Sequence, residues 1–429
     1  MARRRNRNIQ RSNSPTERSY QEFLYNAPTL QISRTEMIRM IRGGEDTYFE
    51  LKVKLSNSEK ITQGIIALAN TDGGIFVFGV TDQLRIEGVE NPEEVRNELV
   101  RICREEIFPP IVPLIDMMSF DNGRRIIALE VVGNKKPYRT KDGRFFMRFG
   151  AEKRETTREE LSNWLDEIRP LNYENIPVIG ATEADIDDAL LWSFAKSFED
   201  DIDSKFTWET GEFLRKDLLL AVGNIEEVTP TVAAILLFGK NERVSELLPR
   251  STVYATRFSG ENGNAQIIEN IEIKGNLITV YEQSLRFIKR YCDLLAEKQK
   301  KLNNLNSPVV SRQSYQQNVV SEMLVNALIH RDMALRDNKT RINIYDNAIE
   351  IINPRRTNGF VPPASRAIRY GITQRLNPQI AAIFHSPAYE ANQVSSSLPI
   401  LLKETRNFSD KRAEIQTNND EFRLKIYGR

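Results

Sequence analysis

The sequence contains very little cysteine and histidine. Cys103 and Cys292 are the only cysteines among 429 residues, and His330 and His385 are the only histidines. Two cysteines so far apart exclude a disulfide scaffold and a cysteine-rich zinc site, and two histidines cannot build a histidine cage. Any metal ion would therefore be held mainly by carboxylates, which favours a hard ion such as Mg²⁺ or Mn²⁺.

The chain also lacks an excess of charge and a long apolar run. Lysine and arginine total 60 against 59 aspartates and glutamates, so the formal net charge is +1. A uniformly basic coat protein is excluded, and any nucleic-acid surface must be a local patch. No apolar run approaches the roughly 20 residues of a membrane-spanning helix. Residues 1–20 carry six arginines but no apolar stretch, unlike a secretory signal. We expect a cytoplasmic protein without a membrane partner.

The order of the patterned segments predicts an α+β, multi-domain protein. The predicted segments are a basic disordered arm at 1–28, an α+β domain at 29–168, a linker at 169–182, a connecting α/β region at 183–310 and a final domain at 311–429. The arm is either simply solvated or an electrostatic arm for phosphate backbones. The apolar run at 231–238 predicts a strand. No segment fits the phosphate-binding pattern G-x-x-x-x-G-K-[ST], so a helicase motor is not supported.

The first candidate site combines Glu45, Glu50, Lys52 and Asp82. Residues 48–55 alternate apolar and polar side chains, so Glu50 and Lys52 point to the same side of a strand. Asp82 follows the apolar strand predicted at 75–80. Three converging carboxylates beside a lysine could hold a divalent ion and stabilise a phosphodiester during cleavage. The alternative is an edge strand with a solvated face of glutamate and lysine.

The second candidate site is a basic stretch at 135–154, with eight cations and two acids for a local net charge of +6. Interleaved aromatic residues suggest a surface that follows phosphates and stacks bases, with Tyr138 as the exposed stacking residue. The alternative is a solvated hairpin with phenylalanines in the core. The candidate nucleic-acid-binding residues are Lys135, Lys136, Tyr138, Arg139, Lys141, Arg144 and Arg148.

The third candidate site is a predicted helix at 319–330. Glu322, Asn326 and His330 are spaced i, i+4 and i+8, which places them on one helix face. A carboxylate that orients water beside an amide that binds Mg²⁺ could serve nucleotide hydrolysis. A polar stripe on a surface helix would give the same spacing.

Residues 30–168 resemble the Schlafen AlbA-type domain. The likeness is carried by residues 45–52 (Glu-Asp-Thr-Tyr-Phe-Glu-Leu-Lys) and by residues 66–80, with their Ala-Asn-Thr-Asp-Gly-Gly core. In Schlafen ribonucleases three acids form a metal-dependent active site. The resemblance implies that Glu45, Glu50 and Asp82 bind Mg²⁺ or Mn²⁺ beside Lys52. Many bacterial relatives are instead described as DNA-binding regulators, and residues 70–74 also fit a structural helix end.

The helix segment 322–332 (Glu-Met-Leu-Val-Asn-Ala-Leu-Ile-His-Arg-Asp), the hairpin end 351–354 (Ile-Ile-Asn-Pro) and residues 236–240 (Leu-Leu-Phe-Gly-Lys) carry a second likeness. Through them, residues 183–429 resemble the divergent GHKL ATPase-like domain of RecG-like helicase proteins. The resemblance implies an α/β sandwich in which Glu322 is the base, Asn326 a Mg²⁺ ligand and Asn353 a neighbour of adenine. No glycine occurs from Ile372 to Tyr427, so the backbone cradle for phosphates is missing and ATP binding is expected to be weak at best.

Two functions remain open at the level of sequence. The first is a metal-dependent nuclease acting on RNA, with tRNA as one candidate, in stress or phage defence. The second is a non-catalytic, DNA-binding transcriptional regulator whose last domain senses a nucleotide or a partner. In both cases we expect RNA or DNA as partner and a homo-oligomer.

Overall fold

The computed structural model describes residues 32–168, 170, 172–197, 210–223, 227–296, 312–335, 338–356, 376–384 and 398–429. The predicted arm at 1–28 lies outside these residues. The chain divides into two compact units, Met1–Thr156 and Thr157–Arg429. Each unit combines helices with sheets, which confirms the predicted α+β, multi-domain class. Within the described ranges, no helix is both long and apolar enough to cross a membrane.

The first unit contains three α-helices, one short π-helix (Ile102–Glu106) and eight strands among its described residues. They are α1 (Arg34–Gly43), β1 (Phe49–Lys52), α2 (Ser58–Asn70), β2 (Gly74–Phe78), α3 (Pro92–Arg101), β3 (Ile107–Phe108), β4 (Leu114–Ser119), β5 (Arg125–Val131), β6 (Arg139–Thr140), β7 (Phe146–Phe149) and β8 (Glu152–Glu155). Four strands form a sheet in the order β1-β2-β5-β4. β1 and β2 are parallel, with α2 as their connection, and the other two pairs are antiparallel.

Both faces of this sheet are covered, which explains its nearly continuous apolar strands. On one face, Phe49 and Leu51 of β1 and Val77 of β2 pack with Met37 and Ile41 of α1. On the other face, the apolar side of α2 packs against the remaining strand side chains, among them Phe76, Phe78, Ile127 and Leu129. Glu50 and Lys52 alternate with Phe49 and Leu51, so they point toward the face that α2 covers.

The end of α2 fixes the position of the following hairpins. Asn70 is buried, its side chain donates to the carbonyl oxygens of Tyr138 at 2.7 Å and Phe146 at 3.0 Å, and it accepts from the Tyr138 amide at 2.7 Å. Gly73 then adopts φ +80°, and a Cβ there would lie 2.5 Å from the Val131 oxygen. Residues 70–74 therefore have the structural role of a helix end, which their sequence also fits.

The second unit is built around a six-stranded sheet. Its described elements are α4 (Arg158–Ile168), α5 (Asp188–Lys196), α6 (Thr210–Glu212), β9 (Ala221–Gly223), β10 (Val228–Pro230), α7 (Val232–Phe238), α8 (Asn241–Leu247), β11 (Val253–Ser259), β12 (Gln266–Ile273), α9 (Leu277–Tyr291), β13 (Asp293–Leu295), β14 (Ser314–Gln316), α10 (Gln317–Ile329), β15 (Thr340–Ile344), β16 (Ala348–Pro354), α11 (Pro378–Phe384), α12 (Leu398–Ser409), β17 (Glu414–Asn418) and β18 (Glu421–Tyr427).

The six-stranded sheet joins two segments that the sequence analysis separates at residue 310. Its order is β12-β11-β15-β16-β18-β17, so two strands come from the predicted connecting region and four from the predicted final domain. β11 and β15 are parallel, and all other neighbours are antiparallel. Helices α9 and α10 pack on this sheet. Both segments thus contribute to one folded unit.

The apolar run at 231–238 forms a helix, so the predicted strand is wrong. Thr231 begins α7 as its N-cap, with its side-chain oxygen accepting from the amide of Ala234 at 3.4 Å. All seven residues of α7 are buried. A helix buried on every side has no polar face, so hydrophobic periodicity alone cannot distinguish it from a buried strand.

Candidate nucleic-acid interface

Glu45 and Glu50 meet at the ammonium group of Lys52. The Lys52 Nζ lies 2.9 Å from Glu50 Oε1 and 3.2 Å from Glu45 Oε1. Glu45 also accepts a hydrogen bond from the amide of Leu51 at 2.8 Å, which holds it beside the end of β1. Two of the three predicted acids are therefore brought together.

Asp82 is placed in the turn after β2 and is exposed. Within the described part of the chain, no group of three or more histidine, cysteine, aspartate or glutamate residues is arranged to hold a metal ion. The structure thus does not bring Asp82 into one metal-ligating group with Glu45 and Glu50. Binding of Mg²⁺ or Mn²⁺ stays a prediction.

Glu50 is a buried carboxylate that two cations neutralise. Its second oxygen accepts from Nη1 of Arg148, whose side chain is fully shielded from solvent. Burial raises the pKa of Glu50, but hydrogen bonds and charge from Lys52 and Arg148 outweigh burial and leave its pKa below the usual value. A metal ion would have to displace at least one of these cations, so the pairs favour a structural role for Glu50.

The basic stretch does not form one continuous exposed surface. Tyr138 is only 1% exposed and Arg139 8%, because the hairpin folds both side chains inward. The Tyr138 hydroxyl accepts from the amide of Lys135 at 3.0 Å and donates to Asn134 at 3.2 Å. The prediction of Tyr138 as an exposed stacking residue is therefore wrong.

The other candidates of this stretch have distinct surroundings. Arg139 lies 4.4 Å from the ring of Phe108, and burial, only partly offset by the charge of Asp142, lowers its pKa to about 10. Arg144 pairs with Glu59 at 3.0 Å and with Asp142 at 2.7 Å. The ammonium group of Lys136 contacts the Thr71 carbonyl and Asp72. Lys135 and Lys141 are exposed.

The structure forms a cationic cluster near Glu50 instead of the continuous basic surface predicted at 135–154. It comprises Lys52, Lys60, Arg148 and Lys153. Burial lowers the pKa of Lys153, and the charges of the other three cations lower it further against the opposing charge of Glu50. Lys153 also donates to the carbonyl oxygen of Lys60. Around Lys153, three cations thus outnumber Glu50, the carboxylate that opposes them.

Helix α2 adds to the positive potential of the cationic cluster. Lys60 lies in its first turn, where the helix dipole is positive and a cation is unfavourable. Glu59 of the same turn is already paired with Arg144. Gly64, one turn further on, allows a close approach, since a Cβ there would lie 2.9 Å from the Phe76 ring and 3.6 Å from Lys153 Nζ.

Sequence reasoning did not select Lys60 and Lys153 as site residues. Lys153 was counted in the basic stretch but not distinguished from its neighbours. A lysine in the first turn of a helix is the signal that could have identified Lys60, because acids are favoured there. The partnership of the two lysines depends on how β8 lies against α2 and is not visible in the sequence.

The candidate nucleotide-binding residues lie in the second unit. Glu322 is buried on α10 and accepts a hydrogen bond from the side-chain amide of Asn326 at 2.9 Å, so these two side chains are in contact. His330 is the C-cap residue of α10. Asn353, on β16, accepts from the hydroxyl of Thr340 at 3.1 Å and is also buried. Nucleotide binding by these residues and a GHKL-like identity of the unit stay predictions.

Comparison with known proteins gives a result for the first unit. No curated protein matches the chain. It is similar to the DIP2311 protein from Corynebacterium diphtheriae, with 18% identity over 95% of this chain and 68% of that protein and a TM-score of 0.39. It is also similar to the N-terminal domain of a protein related to ATP-dependent DNA helicase RecG from Nitrosomonas europaea, with 21% identity over 26% of this chain and 81% of that domain and a TM-score of 0.23.

These structural likenesses are too weak to support an argument about fold or function. The family match covers the segment that contains Glu45, Glu50, Asp82 and the cationic cluster. This family suggests a nucleic-acid-related function. Residues 45–157 match the family described as Schlafen, AlbA_2, and this segment is a domain of that family.

Proposed function

We propose that the first unit binds the phosphate backbone of RNA or DNA through the cationic cluster of Lys52, Lys60, Arg148 and Lys153. The observation that supports this proposal is the excess of positive charge around Glu50. Like charges and burial together lower the pKa of Lys153. A phosphate placed there would relieve this repulsion, so the cluster is suited to an anion.

Each member of the cluster has a distinct task in this proposal. Lys60 is exposed and Lys153 is half-buried, so a phosphate can reach both. These two lysines contact the phosphate. Arg148 and Lys52 are paired with Glu50, which orients them. The negative charge of Glu50 also offsets part of the electrostatic repulsion among the cations. Glu50 is then a structural carboxylate. Phosphate contacts fix the register of a bound strand but carry no sequence information, so binding should be weakly sequence-dependent.

The test is binding of fluorescent single-stranded RNA, single-stranded DNA and duplex DNA to the full-length protein. The variant Lys60→Gln/Lys153→Gln should bind at least about tenfold more weakly, since a hydrogen bond to a charged group contributes roughly 1.5–3 kcal/mol. The matched control is Lys289→Gln/Lys403→Gln, which removes two exposed lysines of α9 and α12. Equal affinities of both double variants would contradict the proposal.

A metal-dependent nuclease is the second candidate. The observation in its favour is the meeting of Glu45 and Glu50 at Lys52, since two acids and a lysine are the core of the implied active site. Incubation of tRNA and DNA with Mn²⁺ or with EDTA tests it. Cleavage that requires metal and disappears in Glu45→Gln and Asp82→Asn would establish the nuclease. Binding without cleavage under any metal would leave the non-catalytic function.

A further inference from the structure

Arg331 is a buried cation at the end of α10. Its side chain is 7% exposed. Nη2 donates to the carbonyl oxygen of Arg250 at 2.7 Å, and Nη1 donates to that of Thr252 at 3.3 Å. Its own carbonyl oxygen accepts from Asn377 at 2.8 Å, which fixes the backbone. Within the described ranges, the hydrogen-bond acceptors of this guanidinium are neutral carbonyl groups.

Burial of a charge without an opposite charge is unfavourable, and proteins usually avoid it by pairing. Arg148 illustrates the usual solution in the same chain, because it is equally buried but is paired with Glu50. For Arg331, burial alone lowers the pKa, to about 10, so the guanidinium stays protonated at neutral pH. An anion bound beside Arg331 would supply the opposite charge that the described residues do not.

A cavity lies beside Arg331. It has a volume of about 60 Å³, and Arg331 forms part of its wall. The rest of the wall is mainly aliphatic and includes Val232, Leu236, Leu277 and Leu328. A water molecule needs roughly 10–15 Å³ of such space, so the cavity accommodates on the order of five non-hydrogen atoms. The cavity therefore combines the buried cation Arg331 with a small, mainly aliphatic interior, and the polar residues Tyr173, Arg250 and Ser251 complete its wall.

We propose that this cavity binds a short aliphatic monocarboxylate whose carboxylate pairs with Arg331 and whose hydrocarbon chain lies against Val232, Leu236 and Leu277. A guanidinium suits a carboxylate because it offers two parallel N–H donors. The aliphatic wall suits a short hydrocarbon chain of up to about three carbons beside the carboxylate. Inorganic phosphate fits poorly, since most of its oxygens would face the aliphatic side chains of the wall, which donate no hydrogen bonds.

The test uses isothermal titration of the full-length protein with butyrate. We expect saturable binding, and a matching titration with butyramide should show none, because the amide has the same size but no charge. Inorganic phosphate should also fail to bind at this site. If butyrate does not bind saturably, or if butyramide binds equally well, the proposal is overturned.

Two variants locate the binding. Arg331→Met should weaken butyrate binding by at least about tenfold, as expected for the loss of a charge-assisted pair. The matched control is Arg250→Met, which removes an exposed arginine beside the same cavity that pairs with Asp166. Binding that survives in Arg331→Met, or that is lost equally in Arg250→Met, would overturn the assignment.

A third variant covers the case in which Arg331→Met does not fold. Met333 is a half-buried residue of the cavity wall, and Met333→Trp should fill the space while Arg331 stays in place. We expect a folded protein by circular dichroism that no longer binds butyrate. Unchanged butyrate affinity in folded Met333→Trp would place the ligand elsewhere and contradict the proposal.

Discussion

The guanidinium of Arg148 donates to the carboxylate of Glu50, 98 residues earlier in the chain, and both side chains are shielded from solvent. Arg148 also donates to the carbonyl oxygens of Asp46 at 2.6 Å and Ala151 at 3.2 Å. One buried side chain thus connects β7 to β1 and to the segment before it. The pair therefore holds together the surface on which the cationic cluster lies.

Replacement of Glu50 by glutamine should destabilise the first unit by about 3–5 kcal/mol, because Arg148 would stay buried with its charge uncompensated. The double variant Glu50→Gln/Arg148→Met should recover part of this loss, since it removes both charges. Hydrogen exchange of peptides from residues 45–157 measures the effect. Peptides from this segment report on the first unit alone. Tryptophan fluorescence would not, because the three tryptophans of the chain all lie after residue 157.

The control for this prediction is Arg34→Met. Arg34 pairs with Asp121 at 2.9 Å, but both side chains are exposed, so its loss should leave hydrogen exchange unchanged. A Glu50→Gln protein with the protection of the wild type would show that the buried pair has no structural role. It would also return Glu50 to consideration as a metal ligand.

Asp185 should make the second unit sensitive to acid. Its carboxylate accepts from the Thr182 amide at 2.8 Å and from Arg243 Nε at 2.6 Å. Burial raises the pKa of Asp185, but these hydrogen bonds and the charge of Arg243 outweigh burial, so the pKa lies below its usual 3.8. Because the folded-state pKa is lowered, the stabilisation is complete above pH 3.8 and is lost as the pH falls through the folded-state value.

Comparison of the wild type with Asp185→Asn tests this effect. At neutral pH the variant should be less stable by about 1–3 kcal/mol. The gap should close as the pH falls below the usual aspartate pKa. Tryptophan fluorescence during urea unfolding follows this unit. Glu246→Gln, which removes the more exposed carboxylate beside Arg243, is the control and should produce a smaller gap. A gap for Asp185→Asn that does not change with pH would contradict the assignment.

Tyr138 should contribute to stability and not to nucleic-acid binding. Tyr138→Phe removes the hydroxyl that joins Lys135 and Asn134, so we expect a loss of about 0.5–1.5 kcal/mol. Affinity for RNA and DNA should stay the same, because the ring is buried. Hydrogen exchange of peptides from residues 45–157 and fluorescence anisotropy on the same preparations measure both quantities. Weaker binding at unchanged stability would show that Tyr138 contacts the nucleic acid.

The sequence predicts β1 and β2 of the first unit but neither β4 nor which side chains of β7 point inward. The alternation at 48–55 correctly predicts that Phe49 and Leu51 share a buried face, but β1 ends at Lys52 and Val53 is exposed. In β7, however, Phe146 and Arg148 are buried while Phe149 is 52% exposed and contacts Arg154. Hydrophobicity predicts the opposite for Arg148 and Phe149. Arg148 points inward because it pairs with the buried carboxylate of Glu50. Glu50 lies too far away in the sequence to be recognised as the partner of Arg148.

The second unit shows where local patterns are sufficient and where they fail. The predicted helix at 319–330 agrees with α10, since its periodicity is clear. The strand predicted at 231–238 is wrong, because every residue of α7 is buried and no polar residue marks a helix face. Pairing of β11 with β15 also cannot be predicted locally, since their parallel register joins residues such as Val253 and Thr340.

The most direct test of the central claim is the salt dependence of nucleic-acid binding. Loss of two phosphate contacts in Lys60→Gln/Lys153→Gln should make the slope of log K against log salt shallower by about 1.8 for duplex DNA and about 1.4 for single strands. The control Lys289→Gln/Lys403→Gln should keep the wild-type slope. A slope unchanged by the removal of Lys60 and Lys153 would show that the cationic cluster does not contact phosphate and would contradict the proposed function.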